Sequence, residues 1–243
     1  MIEKRGKDMK KIAIFSDIHG NLQALKTILE DIDRDSFDEV ICLGDVVGIG
    51  PNPKECLDLI IDSNIKMVKG NHEIYQVNEE LANELLPENE QKHKRWVHGQ
   101  LTEEEIKYIE ELPMTYDKLI YGKLFTFSHF FLNESKDYYQ TLNILGDNRI
   151  FETIEKEETD YMFFGHSHEP FQIVNNGVFT CVGTSGCRPN NSTFYTIVEV
   201  DSKNVRITKK ELFYDRKSFE REVLKSDYPD RQRELQFCDI KIN

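Results

Sequence analysis

Histidine, aspartate and asparagine residues recur together in five short segments of this 243-residue chain. The segments are Asp17-Ile18-His19, Gly44-Asp45, Gly70-Asn71-His72-Glu73, Ser128-His129 and Gly165-His166-Ser167-His168. Imidazole nitrogens and carboxylate or amide oxygens bind divalent ions such as Mn²⁺, Fe²⁺ and Zn²⁺, and a set without thiolates argues against a structural zinc finger. A pair of such ions suits phosphate chemistry, because together they activate water and neutralise charge during an in-line displacement. One such segment occurs by chance in many proteins, whereas five in this order indicate a metal site.

Each segment follows a short apolar run that is typical of a buried strand. The runs cover residues 11–15, 40–43, 65–68, 124–127 and 161–164. Ligands converge on the loops at the carboxyl ends of strands in an α/β sheet, so we expect the donor side chains to lie close together. Asp17 and His19, two residues apart in extended chain, are expected to point to the same side and bind one ion.

The remaining elements divide the chain into three stretches. Strands and helices alternate up to Met67, and the last third reads as β-hairpins, one of them around Asn175-Asn176-Gly177. Residues 75–112 between them are polar and helical in period, and we interpret them as a helical cap insert over the metal cleft, with a plain structural insert as the alternative. His93 and His98 in this segment match no motif and lie five apart on a helix, so they are not expected to bind metal.

With these motifs the chain resembles the calcineurin-like metallophosphoesterases, in the small bacterial and archaeal branch that carries Ser-Asp-Ile-His-Gly-Asn near the N-terminus. The resemblance extends from about Lys10 to Glu211. It implies an α/β fold, a four-layer α/β-β-α sandwich of two mixed β-sheets flanked by helices. It also implies two metal sites that share Asp45. The first comprises Asp17, His19, Asp45 and His168, and the second comprises Asp45, Asn71, His129 and His166.

The resemblance assigns catalysis to His72, which lies near the leaving-group oxygen without binding metal, and to Asn71. Asn71, His72 and Arg188 are expected to contact the substrate. Glu73 is either a solvent-facing carboxylate at a helix start or a partner that orients the His72 imidazole. Residues 182–189 resemble a small-residue loop of the family, from which Thr184 and Ser185 depart, so the role of that loop stays open.

The implied function is a metal-dependent phosphoesterase that acts on small phosphodiesters or nucleotides by means of a hydroxide activated by two metal ions. Mn²⁺ is the preferred ion, with Fe, Zn, Ni and Co as alternatives. Other functions remain open, namely a dinucleoside polyphosphate hydrolase, a protein phosphatase, or a scaffold or regulatory protein that retains the fold without activity. The complete set of donor residues favours an enzyme.

Composition limits the partners and the location. A net charge of −13 leaves no basic surface for duplex nucleic acid, so a small phosphorylated substrate is expected. The sequence has no signal-peptide pattern and no stretch as long as a membrane span, and five cysteines without close pairs suit a reducing cytoplasm. We expect one domain over residues 1–243, with residues 1–9 flexible and residues 215–243 forming a C-terminal tail. The oligomeric state is not indicated.

Overall fold

The computed structural model describes residues 9–132, 149–227 and 229. In chain order its elements are β1 (Lys10–Phe15), α1 (Leu22–Asp33), β2 (Glu39–Cys42), α2 (Pro53–Asp62), β3 (Lys66–Met67), α3 (Asn71–Val77), α4 (Glu79–Leu85), α5 (Glu88–Gln100), α6 (Glu103–Glu111), β4 (Thr115–Ile120), β5 (Lys123–Ser128), α7 (Arg149–Ile154), β6 (Tyr161–Phe164), β7 (Phe171–Val174), β8 (Val178–Cys181), β9 (Ser192–Val200), β10 (Val205–Phe213) and α8 (Arg216–Lys225).

Two five-stranded mixed sheets form the centre of the molecule. The first has the strand order β10-β9-β1-β2-β3 and the second β4-β5-β6-β8-β7. In the first sheet β1, β2 and β3 run parallel, and β9 is antiparallel to both β1 and β10. In the second sheet β5, β6 and β8 run parallel, and β4 and β7 pair antiparallel at the two edges. The parallel strands bring their carboxyl ends to the same edge of each sheet.

Alternation along β1 shows how the layers stack. Ile12 and Ile14 are buried between the sheets, where they share a cluster with Phe127 of the second sheet. Ala13 and Phe15 face the other way, into a cluster with residues of α1, α2, α5 and α6. Successive side chains of a strand point to opposite faces, so a strand buried on both sides is apolar throughout.

Helix α7 covers the outer face of the second sheet. Ile150 and Ile154 of this helix form a buried cluster with Met162, Phe164 and Phe179. The layers are therefore helices, sheet, sheet and helix, which confirms the α/β-β-α sandwich that the resemblance implies.

The segment at residues 75–112 contains the end of α3 and all of α4, α5 and α6. Helix α5 has a small buried surface, which consists of His93 and Val97. Near the C-terminus, α8 buries Phe219 and Val223. Past α8, Asp227 accepts a hydrogen bond of 3.0 Å from Nε1 of Trp96, so the start of the tail packs on α5.

Some expectations concern the ends of the chain and the cysteines. Residues 1–8 and nearly all of the tail beyond Asp227 lie outside the described residues. Cys42, Cys56 and Cys181 are buried free thiols, but Cys187 is disulfide-bonded, so the reduced state expected for the cysteines does not hold there. Among the helices within the described ranges, none is long and apolar enough to cross a bilayer.

Candidate metal centre

The loops that follow β1, β2, β3, β5 and β6 meet at one edge of the sandwich. Backbone hydrogen bonds join the first two loops, since the N–H of Asp17 donates to the carbonyl of Gly44 at 3.0 Å and the N–H of His19 donates to that of Asp45 at 2.9 Å. The loop after β6 joins the loop after β5 through the Gly165 N–H. The five segments recognised in the sequence therefore form one structural unit.

Five donor residues of this unit have a left-handed backbone. They are Asp17, His19, Asp45, His166 and His168, with φ of 54°, 50°, 52°, 66° and 60°. The expectation that Asp17 and His19 lie in extended chain is therefore wrong, because the chain has already turned past the end of β1. Left-handed conformations are uncommon for residues other than glycine, cost about 1–3 kcal/mol each and cluster at functional sites.

The first group of donors consists of Asp17, His19 and His168. Nε2 of His19 lies 3.0 Å from Nε2 of His168 and 3.8 Å from Oδ1 of Asp17. Nε2 of His168 lies 3.4 Å from the same carboxylate oxygen. All three donor atoms lie within 4.8 Å of one another, which is close enough to hold one metal ion.

The second group contains Asp45, His129 and His166, with Asn71 beside them. Oδ1 of Asn71 lies 3.2 Å from Nε2 of His129 and 2.9 Å from Nδ1 of His166. Oδ2 of Asp45 lies 3.1 Å from Nε2 of His129 and 3.9 Å from Nε2 of His19. The Asp45 carboxylate therefore lies between the two groups. We call the seven residues Asp17, His19, Asp45, Asn71, His129, His166 and His168 the donor cluster.

The composition of the donor cluster fits divalent cations. Nitrogen and oxygen donors 2.0–2.2 Å from a metal ion lie about 3.0–3.5 Å from one another, close to the separations observed. Burial alone would raise the pKa of the Asp17 carboxyl, but the neighbouring imidazoles of His129 and His168 lower it to about 2. The pKa of Asp45 is likewise well below its usual range, against burial and because of His129 and His72. Both carboxylates are thus ionised and available to metal ions at neutral pH.

Glu73 is fully buried and binds the backbone of the neighbouring loop. Its carboxylate accepts hydrogen bonds from the N–H groups of Asp45, Val46 and Val47 at 2.7, 2.9 and 3.1 Å, and from that of Gly70 at 2.9 Å. Burial and the Asp45 carboxylate raise the pKa of Glu73 to about 7, although the N–H groups of Val47 and Asp45 lower it. The structure therefore supports neither interpretation of Glu73 made from the sequence. Glu73 fixes the Asp45 loop onto the start of α3.

Close packing continues at Gly70 and His72. A methyl group on Gly70 would collide with the carboxylate of Asp45, so only glycine fits there. The N–H of His72 donates to Oδ1 of Asp45 at 2.9 Å, and the His72 ring lies 4.9 Å from the ring of His19. His72 thus lies beside the donor cluster, and burial lowers the pKa of its imidazole.

The loop at residues 182–189 supports the donor cluster through its backbone and one hydroxyl. Oγ1 of Thr184 donates to the carbonyl of Asp17 at 2.8 Å, and the Thr184 N–H donates to that of His168 at 3.0 Å. The N–H of Ser185 donates to the carbonyl of Ser16 at 2.9 Å. Thr184, one of the two residues that depart from the family pattern, therefore holds the backbone of Asp17 through its side-chain hydroxyl.

Arg188 is not brought into the site, which corrects its assignment as a substrate-binding residue. Its Nε donates to Oγ of Ser192 at 3.1 Å, and its guanidinium lies 4.5 Å from the centroid of the Phe194 ring. Nη2 of Arg188 also lies 3.7 Å from a Glu211 carboxylate oxygen. The strands β9 and β10 thus hold this side chain, and it does not line the cleft.

A cleft of about 390 Å³ opens from the donor cluster toward the helical segment. On one side it is lined by Asp45, Asn71, His72, His166 and His168. On the other side lie residues of α3, α5 and the turn before α5, which we call the helical wall. These are Tyr75, Gln76, Leu86, Glu90, His93, Lys94 and Val97. The sequence indicated the helices of this segment, but it did not indicate which of their side chains reach the cleft.

Comparisons with known proteins agree with this geometry. The calcineurin-like phosphoesterase family matches residues 10–170. Protein MJ0912 of Methanocaldococcus jannaschii is 34% identical over 166 residues, and the match covers 68% of this chain and 65% of MJ0912, just under two thirds of that relative.

Two solved structures share the fold. The crystal structure of a metallophosphoesterase from Sphaerobacter thermophilus has a TM-score of 0.72 at 23% identity and covers 94% of this chain and 98% of its own. Protein PH1004 from Pyrococcus horikoshii has a TM-score of 0.78 at 18% identity, covering 96% of this chain and 99% of its own. The resemblance stated from the motifs is confirmed, and the chain belongs to the calcineurin-like phosphoesterase family.

Proposed function

We propose that this protein is a metal-dependent phosphoesterase that hydrolyses small phosphodiesters or nucleotides with two divalent ions. The observation that carries the proposal is the position of the Asp45 carboxylate between two groups of N and O donors. A carboxylate that reaches both groups would serve two cations at once, and a pair of cations would activate water and neutralise charge during phosphate ester hydrolysis.

The proposed allocation of ligands follows the two groups. Asp17, His19, Asp45 and His168 would hold one ion, and Asp45, Asn71, His129 and His166 the other. When bound, the ions supply a water of lowered pKa and neutralise charge on the phosphate. Mn²⁺ is the ion proposed first, with Fe, Zn, Ni and Co as alternatives, because imidazole, carboxylate and amide donors without thiolate suit all of these ions.

His72 is the proposed general acid. It lines the cleft beside Asp45, and its backbone N–H holds it to that carboxylate. In its protonated form His72 would pass a ring proton to the leaving alkoxide and revert to neutral imidazole, which requires bound substrate to offset the lowering of its pKa by burial. The Asn71 amide, which also lines the cleft, would contact the phosphate oxygens.

The cleft favours small substrates. Its volume of about 390 Å³ is near the lower end of the range for small-molecule sites, so we prefer a phosphodiester or nucleotide to a phosphorylated protein. A dinucleoside polyphosphate remains the alternative substrate. The cytoplasmic location stays a prediction from the sequence.

The test uses the purified protein after removal of metal by a chelator and reconstitution with Mn²⁺. Hydrolysis of bis(p-nitrophenyl) phosphate should vanish without metal and return with it, at a metal content of two ions per chain. Full activity with fewer than two ions would refute the two-metal proposal. A panel of monoesters, diesters, nucleotides and phosphopeptides extends the assay, and two bound ions without turnover on any of them would favour the scaffold alternative.

A further inference from the structure

Gln76, in the helical wall, has a side-chain oxygen to which no described residue donates a hydrogen bond. The side chain is only 4% exposed, and its Nε2 donates to the carbonyl of His72 at 3.4 Å. Its Oε1 accepts no hydrogen bond from any group in the described part of the chain. Buried amide oxygens are nearly always paired, and Gln76 lines the cleft, so a rotation of the side chain that turns this buried oxygen toward the cleft would let a bound molecule donate to it.

His93 lies in the same wall. It is 4% exposed, and its ring stacks on the ring of Trp96 with centroids 5.8 Å apart and planes 21° apart. Burial lowers the pKa of His93 to about 3, so its ring is uncharged at neutral pH. Trp96 itself does not line the cleft. It positions His93, and Asp227 positions Trp96.

The other side chains of the wall suit an uncharged group. Tyr75, Leu86 and Val97 provide apolar surface next to Gln76 and His93. Glu90 and Lys94 lie four residues apart on α5 and both line the cleft, so the wall carries one charge of each sign. A wall of this kind binds a flat, uncharged organic group better than a second phosphate.

We infer that Gln76 and His93 form a subsite for the organic group of the substrate, and that this group is a planar ring system that donates a hydrogen bond, as a nucleoside does. The inference rests on the proposed function, because it takes the donor cluster as the place where the phosphate binds. Gln76 follows His72 by one helical turn on α3, so a ligand with its phosphate at the donor cluster extends along this helix toward the amide.

The binding test uses the Mn²⁺-loaded full-length protein and three probes, namely adenosine 5′-monophosphate, phenyl phosphate and inorganic phosphate. Calorimetry gives the dissociation constant of each. Gln76→Met keeps the shape of the side chain without the amide. It should weaken binding of the nucleotide about 5–10-fold, the worth of one lost hydrogen bond, and that of phenyl phosphate less than about 2-fold. Gln100→Met, at the exposed end of α5, is the matched control and should change none of the three constants.

A second variant tests His93 independently of Gln76. His93→Ala should weaken the binding of adenosine 5′-monophosphate and of phenyl phosphate alike, by about 3–10-fold, because both probes contain a flat aromatic ring. The binding of inorganic phosphate should not change. His98→Ala, exposed on the same helix, is its control. The subsite is refuted if wild type binds the nucleotide no more tightly than phenyl phosphate, or if Gln76→Met weakens all three probes equally. Neither outcome depends on whether bis(p-nitrophenyl) phosphate is hydrolysed, so failure of the subsite and failure of the proposed function are distinguishable.

Discussion

The donor cluster and the helical wall face each other across one cleft but are built in different ways. Residues of the donor cluster lie on loops after strands, or at the first position of α3, and many have a left-handed backbone held by hydrogen bonds between loops. The side chains of the wall come mainly from the regular helices α3 and α5 and are positioned by packing, as His93 is by Trp96.

This difference indicates a division of labour. A donor that shifts by a fraction of an ångström no longer shares its ion, so the donor cluster tolerates little change. A helix surface accepts substitutions more readily, because its backbone hydrogen bonds do not depend on the side chains. We therefore expect substitutions in the donor cluster to affect all substrates, and substitutions in the helical wall to affect some substrates more than others.

The largest effect is expected at the residue shared by the two donor groups. Asp45→Asn removes the bridging charge, so metal content should fall below two ions per chain, and kcat/KM should fall by about 10³-fold or more on every substrate. Metal analysis and kinetics on two unrelated esters measure this. Asp33→Asn, at the exposed end of α1, is the control. Normal metal content in Asp45→Asn would contradict the bridging assignment.

His72→Ala should separate chemistry from metal binding. Both ions should remain, whereas kcat should fall by about 10²–10⁴-fold for an ester with a poor leaving group, which needs the proton most. The kcat for an ester of p-nitrophenol should fall less, because p-nitrophenolate leaves without being protonated. If turnover of the poor leaving group equalled that of wild type, His72 would not be the general acid.

Glu73→Gln tests whether the donor cluster depends on the fixed backbone of its loops. The substitution keeps the volume but replaces one accepting oxygen by an NH₂ group that faces backbone N–H donors. We expect the affinity for metal to fall about 10–100-fold and the free energy of unfolding to fall by about 1–3 kcal/mol, with the order of preferred substrates unchanged. Glu103→Gln, at the exposed start of α6, should change neither quantity. A changed order of substrates with normal metal affinity would mean that Glu73 acts on substrate selection, as the helical wall does, and does not support the donor cluster.

The smallest predicted effect concerns the helical wall and pH. The pKa of His93 is lowered to about 3 in the folded protein, against an ordinary value of 6.5. Between these values the unfolded chain binds a proton that the folded protein excludes, so the contribution of His93 to stability is full above pH 6.5 and is lost as the pH falls. The slope approaches 1.4 kcal/mol per pH unit.

Urea unfolding at pH 7, 6 and 5 measures this slope in wild type, in His93→Gln and in the control His98→Gln. The slope of wild type should exceed that of His93→Gln and match that of His98→Gln. Equal slopes in all three proteins would mean that His93 does not titrate as its burial indicates. The metal-loaded form should be used throughout, so that loss of metal does not contribute differently to the three proteins.

The sequence by itself placed the donor segments after buried strands, and its resemblance to the family supplied the layered fold and the members of the donor cluster. Each donor segment follows an apolar run, and strands buried on both faces must read as such runs, so these strands and the position of the donors at their carboxyl ends could be predicted. The metal-binding chemistry also depends on residue type, which is visible without coordinates. The helices at residues 75–112 could also be predicted, because their residues repeat with helical periodicity.

Only the tertiary structure decided what Glu73, Arg188, Gln76 and His93 do. Glu73 bonds to N–H groups 26–28 residues away, and Arg188 is held by side chains of two later strands. A local sequence pattern does not predict such partners, because they are distant in sequence and only the folded chain brings them within hydrogen-bond distance. The left-handed turn at Asp17 and His19 was missed likewise, since hydrogen bonds to the next loop hold it there rather than residue propensity.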